Sequence, residues 1–270
     1  MPDLREYLDR IAYDGPVSPS LDVLHALHRA HILAVPYENL DVQLGRPLTA
    51  SREAAWEKIV GRRRGGWCYE MNGVFGLALE LAGYDVTRVA GGVGRGGAPG
   101  MAGNHLVNLV RLPEGFWIAD VGLADGPQDP FRLEAHAFSA AGFDFRLEDL
   151  GDGAWRLHNH DLGAAPYFDF RPVLADEALL ESVCQAIQTH PESPKKLNAL
   201  VMRHTPSGLL QLRGRVLREV TPEGRVAETL IATAAEWADV VRTRFDLDLP
   251  EAASLWPQIS ARHDTLFAAT

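Results

Sequence analysis

Apolar residues return at helical spacing through the first third of the chain. Leu4, Leu8 and Ile11 predict a short opening helix. Ser20 is placed to cap a second helix over 21–35, with Leu24, Leu27, Ile32 and Val35 along one face until Pro36 ends it. Thr49-Ala50-Ser51 precede a third amphipathic stretch over 52–60. After the Gly65-Gly66 break, residues 67–81 carry the strongest helical pattern of the chain, with Val74, Leu77, Ala78 and Leu81 sharing a face and Gly83 closing it.

The texture changes at Tyr84. Residues 85–93, 104–112 and 116–121 are short, β-rich and bounded by Gly or Pro, and Pro113-Glu114-Gly115 reads as a hairpin turn. Residues 143–147, 155–158 and 168–170 extend this into a small antiparallel sheet or barrel. A helix is expected over 176–188. Strands follow over 197–202, 209–212 and 215–219, with turns at Pro206-Ser207-Gly208 and Pro222-Glu223-Gly224. A last helix spans 233–245, with Ala234, Trp237, Val241 and Phe245 near one face. Helices, then strands, then a mixed end predict an α+β fold.

Composition narrows the function. The 270 residues are 46% hydrophobic, enough for a sizeable core, and the formal net charge of −10 argues against nucleic acid and an anionic membrane surface. No apolar run reaches the roughly 18–20 residues that cross a bilayer. Two cysteines, Cys68 and Cys184, make no disulfide scaffold, and no zinc-finger spacing is present. The start, Met1-Pro2-Asp3-Leu4-Arg5-Glu6, lacks the layout of an export signal, so a cytoplasmic location is expected.

Candidate chemistry centres on Cys68, which opens the strongest helix directly after Arg62-Arg63-Arg64-Gly65-Gly66-Trp67. A thiol at a helix N-terminus feels the positive end of the helix dipole, and nearby arginines add to it. Both favour the thiolate, which is the nucleophile. Downstream, His105 and Asp120 stand in two strands, completing a Cys-His-Asp set. Asp120 lies among Trp117, Ile118, Ala119 and Val121, where a carboxylate needs a partner. Pairing Leu112 with Phe116 around the turn sets Asp120 opposite Asn108. His105 is then three residues away, roughly 10 Å along the strand. On that register a bulge or bend is needed to join the two. A cysteine hydrolase uses the same triad as an acyltransferase, and an inert buried thiol is the plain alternative.

Other signals carry less. Gly92-Val93-Gly94-Arg95-Gly96-Gly97 fits G-x-G-x-x-G, but Pro99 and a strand follow instead of a helix, so it reads as a mobile loop near the site. His25, His28 and His31 do not converge on one helix face and read as surface or packing residues. His158-Asn159-His160 reads as a solvated loop, and Lys195-Lys196 as surface. Arg64 is a candidate partner for Glu38, fixing the loop that presents Cys68.

These residues resemble the arylamine N-acetyltransferases. Arg64-Gly65-Gly66-Trp67-Cys68-Tyr69-Glu70-Met71-Asn72-Gly73 is similar to that family's nucleophile segment, and Pro36-Tyr37-Glu38-Asn39-Leu40-Asp41 to an N-terminal turn. Asn104-His105-Leu106-Val107 and Ile118-Ala119-Asp120-Val121-Gly122 resemble its His and Asp segments. The resemblance covers residues 4 to 125 and weakens beyond. It implies a helical N-domain (1–83), an antiparallel β-barrel (84–190) and a C-terminal α/β lid (191–270), around a cysteine-proteinase-like core. It implies acyl transfer from a thioester to an amine through an acyl-cysteine on Cys68, with His105 shuttling protons and Asp120 orienting it. Tyr37, Trp67, Tyr69, Gly103 and Leu123 are its implied substrate-binding residues. The co-substrate is acetyl-CoA or a carrier-protein acyl thioester, with no permanent cofactor and no metal. The chain departs from the family at Leu123-Ala124, where an aromatic is common, and at Ser193-Pro194-Lys195-Lys196, where Ser-Pro-Phe is common. The first departure predicts a softer, roomier pocket. The departures keep a related reading open, the amide synthases of ansamycin-type polyketide assembly, which take a chain from an acyl carrier protein.

Overall fold

The computed structural model describes residues 2–94 and 103–267. Helix α1 (Leu4–Arg10) and helix α2 (Leu21–Ala34) begin where short polar side chains cap them. Asp3 accepts from the Arg5 amide, and Ser20 from the Val23 amide. A two-residue strand β1 (Tyr37–Glu38) and the single turn α3 (Leu40–Gln43) follow. Helix α4 (Arg52–Trp56) runs into a wider π turn, Glu57–Gly61. Helix α5 (Cys68–Leu81) buries Met71, Val74, Phe75, Ala78 and Leu79 against α1, α2 and α4 in one core cluster.

The sheet expected from the middle of the chain is larger than the pattern predicts. Its strands are β2 (Asp85–Gly94), β3 (His105–Leu112), β4 (Gly115–Ala119), β5 (Phe131–Arg132), β6 (His136–Ala140), β7 (Phe143–Gly151), β8 (Ala154–His158) and β9 (Tyr167–Phe170). They hydrogen-bond antiparallel in the order β5-β4-β3-β2-β9-β8-β7-β6. Its buried face carries Val89, Val107, Phe145, Leu157 and Phe168. Two of these strands, β5 and β6, lie in a stretch to which the pattern assigns no element. β6 alternates only weakly and is held by Phe138 stacking between Phe131 and Phe145.

The β3–β4 hairpin differs from its expected register by one residue. Leu112 pairs with Gly115, not Phe116, so Pro113-Glu114 alone make the loop. Gly115 follows the loop at φ +130°, a backbone conformation that a side chain disfavours. A one-residue slip moves every side chain to the other face. Asn108 therefore faces Ala119, and continuing the register one step sets Asp120 opposite Val107. His105 is then two residues away, on the same face, and no bulge is required.

The C-terminal part opens with α6 (Glu177–Thr189) and a single turn α7 (Pro194–Leu197). That turn takes the start of the strand expected from 197, so β10 runs Leu200–Thr205. With β11 (Gly208–Arg213), β12 (Val216–Val220) and β13 (Val226–Leu230) it forms a second antiparallel sheet. β1 is the outer neighbour of β10, with Tyr37 opposite Met202, so the N-terminal segment closes this sheet. Helix α8 (Ala234–Phe245) lays Trp237, Val241 and Phe245 on its face beside Val201 and Leu212. A 3-10 turn (Ala252–Leu255) and α9 (Trp256–Phe267) complete the chain. Among the described residues no helix is long and apolar enough to cross a membrane.

Candidate active site

Cys68 is the first residue of α5 and is almost fully buried. Glu70 caps the helix start by accepting from the Trp67 amide at 3.1 Å. The turn that follows β4 lies hard against this end. A Cβ on Gly122 would stand 2.9 Å from the Cys68 Cα and 2.5 Å from Asn72 Nδ2, so only glycine fits.

His105 opens β3 and is buried, lining the same cavity as Cys68, whose thiol donates to the Asn104 carbonyl at 3.8 Å. The His105 Nε2 meets Asp120 Oδ2 at 2.7 Å. Phe168 supports the ring edge-on at 5.0 Å. Burial alone would strip a proton from this imidazole. The Asp120 charge and hydrogen bond, with the thiol behind them, reverse that and raise its pKa to about 10. Burial works against ionised Asp120 as well. His105, Asn72 and the Gly122 amide overcome it and hold the carboxyl below its usual range.

Asn72 has no place in the sequence reading. It sits four residues after Cys68, one helical turn on. Its Nδ2 donates to Asp120 Oδ1 at 2.7 Å and to the Leu106 carbonyl at 2.5 Å, and its Oδ1 accepts from the Val121 amide at 3.0 Å. One amide side chain thus ties α5 to both strands that carry His105 and Asp120. The i, i+4 spacing from the thiol is the signal that marks it.

Beneath the helix start lies a buried ionic group. Arg64 reaches Glu38 at 2.6 Å, as its pairing in the sequence analysis requires, and Asp41 at 3.4 Å. Lys58, from the π turn, meets Asp41 and Glu70 at 2.9 Å each and Glu38 at 3.6 Å. Burial would lower the Lys58 pKa, but the three carboxylates push it above the normal lysine range. Glu70 links this group directly to the Cys68 helix.

Cys68 and His105 open on a cavity of about 580 Å³. Tyr37 and Leu123 line it, with Ala124 beside Leu123. Trp67, Tyr69 and Gly103 do not line it. Trp67 and Tyr69 are buried edge to face behind the thiol, and the Tyr69 hydroxyl donates to the Gly103 carbonyl at 2.5 Å, which turns both away from the space. Lys195 corrects the surface reading of Lys195-Lys196. Its side chain lines the cavity, with Nζ 4.6 Å from the Tyr37 ring centroid and donating to the Tyr37 hydroxyl. Lys196 is exposed.

The remaining histidines divide. His28 and His31 are buried packing residues, on the Gln128 carbonyl and the Tyr7 hydroxyl at 2.9 Å each, and half-buried His25 meets Asp129. His160 is not solvated, as its tripeptide suggests. It packs 4.3 Å from the Phe143 ring, and Nε2 bonds the Asp125 carbonyl. Among the described residues no His, Cys, Asp and Glu group could hold a metal ion. Gly92–Gly94 belong to β2, and the rest of the glycine-rich motif lies outside the described residues.

Comparison with known proteins gives the family. A model of the N-acetyltransferase family matches residues 20–254. An arylamine N-acetyltransferase of Mycolicibacterium smegmatis is 34% identical over 268 residues, spanning 93% of this chain and 94% of that protein. One from Escherichia coli is 33% identical over 213 residues, 77% of this chain and 75% of its own. A solved M. smegmatis arylamine N-acetyltransferase superposes with a TM-score of 0.88 at 33% identity, covering 97% of this chain and 98% of that one. The Mycobacterium marinum arylamine N-acetyltransferase in complex with CoA gives 0.86 at 33% identity, over 97% and 99%. The chain belongs to the arylamine N-acetyltransferase family and is an N-acyltransferase with that family's α+β fold.

Proposed function

We propose that Cys68, His105 and Asp120 carry out acetyl transfer from acetyl-CoA to an arylamine. The single observation that carries this reading is the His105 ring, bonded to Asp120 at 2.7 Å and lining one apolar cavity together with Cys68. With the proton already on His105, the Cys68 sulfur attacks the thioester carbonyl. The carbon–sulfur bond to coenzyme A breaks, and the leaving thiolate takes the proton from His105. The amine then attacks the acetyl-cysteine and loses a proton to His105, and the amide leaves as the Cys68 sulfur is released beside the protonated ring. Asp120 stays ionised throughout and holds the imidazole in position.

The CoA complex of the M. marinum relative supports acetyl-CoA as the donor. Tyr37 and Leu123 contact the substrates from the cavity wall, and Trp67, Tyr69 and Gly103 act from behind it by fixing the backbone around the thiol. The division into 1–83, 84–190 and 191–270 belongs to the same reading. The eight-stranded sheet, which lies wholly inside the middle part, supports it. Two unpaired, buried cysteines favour a reducing, cytoplasmic setting.

Intact-protein mass spectrometry after mixing with acetyl-CoA tests the proposal. The expected result is one acetyl adduct on Cys68, discharged by an arylamine and slow to clear in water alone. Rapid clearance by water points to a hydrolase. No adduct with acetyl-CoA, but acylation by a carrier-bound thioester, points to an amide synthase.

A further inference from the structure

We propose that Asp125 is a positioning residue that fastens one wall of the cavity and so protects acetyl-Cys68 from water; this rests on the cavity being the acyl-transfer site. Leu123, Ala124 and Asp125 follow Gly122, which lies against the Cys68 helix, and all four line the cavity. Asp125 is buried in this apolar wall, where a carboxylate needs donors. They come from one place, the loop 159–166 between β8 and β9. Asn159 Nδ2 donates to Asp125 Oδ1 at 3.1 Å, and the Ala164 amide to Oδ2 at 2.5 Å. His160 Nε2 adds a bond to the Asp125 carbonyl at 3.1 Å.

That loop supplies the next part of the wall. Ala165 is buried at the cavity and Ala164 is exposed at its rim. The first half of the loop is pinned to the barrel, with the His160 ring 4.3 Å from Phe143 and edge-on to Phe145 at 5.6 Å. The second half folds back on the first, where the Ala165 carbonyl accepts from Asn159 Nδ2 at 3.0 Å. The Asp125 carboxylate binds that second half to the turn beside Cys68. Acetyl-Cys68 has two fates. An amine takes the acetyl group, or water does. In the second, the water oxygen adds to the acetyl carbon and one proton passes to His105. The carbon–sulfur bond then breaks, and acetic acid leaves with the Cys68 sulfur beside the protonated ring. The triad serves both reactions alike, so access decides between them. A closed apolar wall gives water no polar partner next to the thioester, whereas an arylamine fills the space with its own ring.

The test starts from full-length protein acetylated on Cys68 by acetyl-CoA and measures the acetate and the amide formed at one fixed concentration of 4-anisidine. Unfolded protein gives neither product through the triad, so a purely structural loss lowers both and leaves their ratio unmoved. In Asp125→Asn the acetate-to-amide ratio should rise about tenfold or more, the usual worth of a charge-assisted hydrogen bond. Asn159→Ala, which keeps the carboxylate, should raise it by a smaller factor. Asp125→Asn combined with Asn159→Asp turns the bond round and should bring the ratio part of the way back. Amide hydrogen exchange over 159–166 should quicken in Asp125→Asn. An unchanged ratio in both single variants overturns the assignment, as does a raised ratio with no change in exchange. So does slower amide formation confined to Asp125→Asn with the acetate rate unmoved, which makes the carboxylate a base for the amine. Wild-type protein whose acetyl adduct gives no amide removes the acyl-transfer reading and the clasp together; amide formation with an unchanged ratio removes the clasp alone.

Discussion

His105 shows how far a single neighbour can move a buried group. Enclosed as it is, it would be neutral; with Asp120 at 2.7 Å its pKa rises to about 10. Asp120→Asn removes the charge and lets burial win. Alkylation of Cys68 by iodoacetamide should be nearly flat from about pH 6 to pH 9 in wild type, because His105 keeps its proton throughout. In Asp120→Asn it should climb with pH by up to about tenfold per unit, and acetyl transfer should drop by about a thousandfold or more. Cys184, whose thiol burial pushes up, is a silent internal control. Equally steep profiles in both proteins would remove His105 from the reaction. The three candidate residues were legible because each sits in an odd context: a thiol at a helix start, a histidine at a strand start, a carboxylate in an apolar strand. Asn72 was not. Its one local mark is the i, i+4 spacing from Cys68, and its partners lie 34 to 49 residues away.

At the scale of elements, the nucleophile helix is anchored at its first turn as well as along its apolar face. Two cations, Lys58 and Arg64, sit among three carboxylates, Glu38, Asp41 and Glu70, all of them buried. Removing one member of such a group leaves its partners charged and desolvated. Lys58→Met should cost about 3–5 kcal/mol in urea unfolding, by the usual effect of breaking a buried pair. Lys58→Met with Glu70→Gln should regain part of that, since one carboxylate no longer needs a counter-ion while the amide still accepts from Trp67. Equal losses in the single and double variants would show that Glu70 and Lys58 are not coupled. The Arg64–Glu38 pair was expected from the sequence, but the Lys58 contacts were not, because Lys58 sits on a π turn that breaks the helical period. Where period and cap agreed, as in α2, α5 and α8, the elements stand within a residue of their expected bounds. The misses share a cause. β13 buries none of its five residues and is defined by its pairing to β12, and β5 has two residues held by β4. Such strands exist through long-range hydrogen bonds and leave little local trace. The helix α9 was missed behind Pro257, which its first turn tolerates.

At the scale of the whole molecule, buried histidines join parts that the chain order separates. The Gln128 carbonyl accepts from His28 Nδ1, and its side chain meets His204 Nδ1 at 3.2 Å, so α2, the loop after β4 and β10 converge on one residue. Burial lowers His28 to about 4 and His204 to about 3, and holds His31 well below its usual value, with Arg10 adding to the effect. The unfolded chain takes these three protons near pH 6.5, and the folded protein refuses them. Their stabilisation is therefore complete above pH 6.5 and lost as pH falls through the interval down to the folded values. His105 has the opposite sign. Its contribution is complete below pH 6.5 and fades as pH rises toward 10. Stability should thus peak near neutrality. On the acid side, three refused protons give a slope of up to about 4 kcal/mol per pH unit, from about 1.4 for each. Urea unfolding between pH 7 and pH 4.5 measures that slope, and acid unfolding should begin well above the range where ordinary carboxylates titrate. His204→Gln, which retains an acceptor for Gln128, should take away about a third of the slope. If the slope is shallow in wild type, or unmoved in His204→Gln, these histidines are already protonated in the folded protein, and the junction they form is ionic instead of neutral.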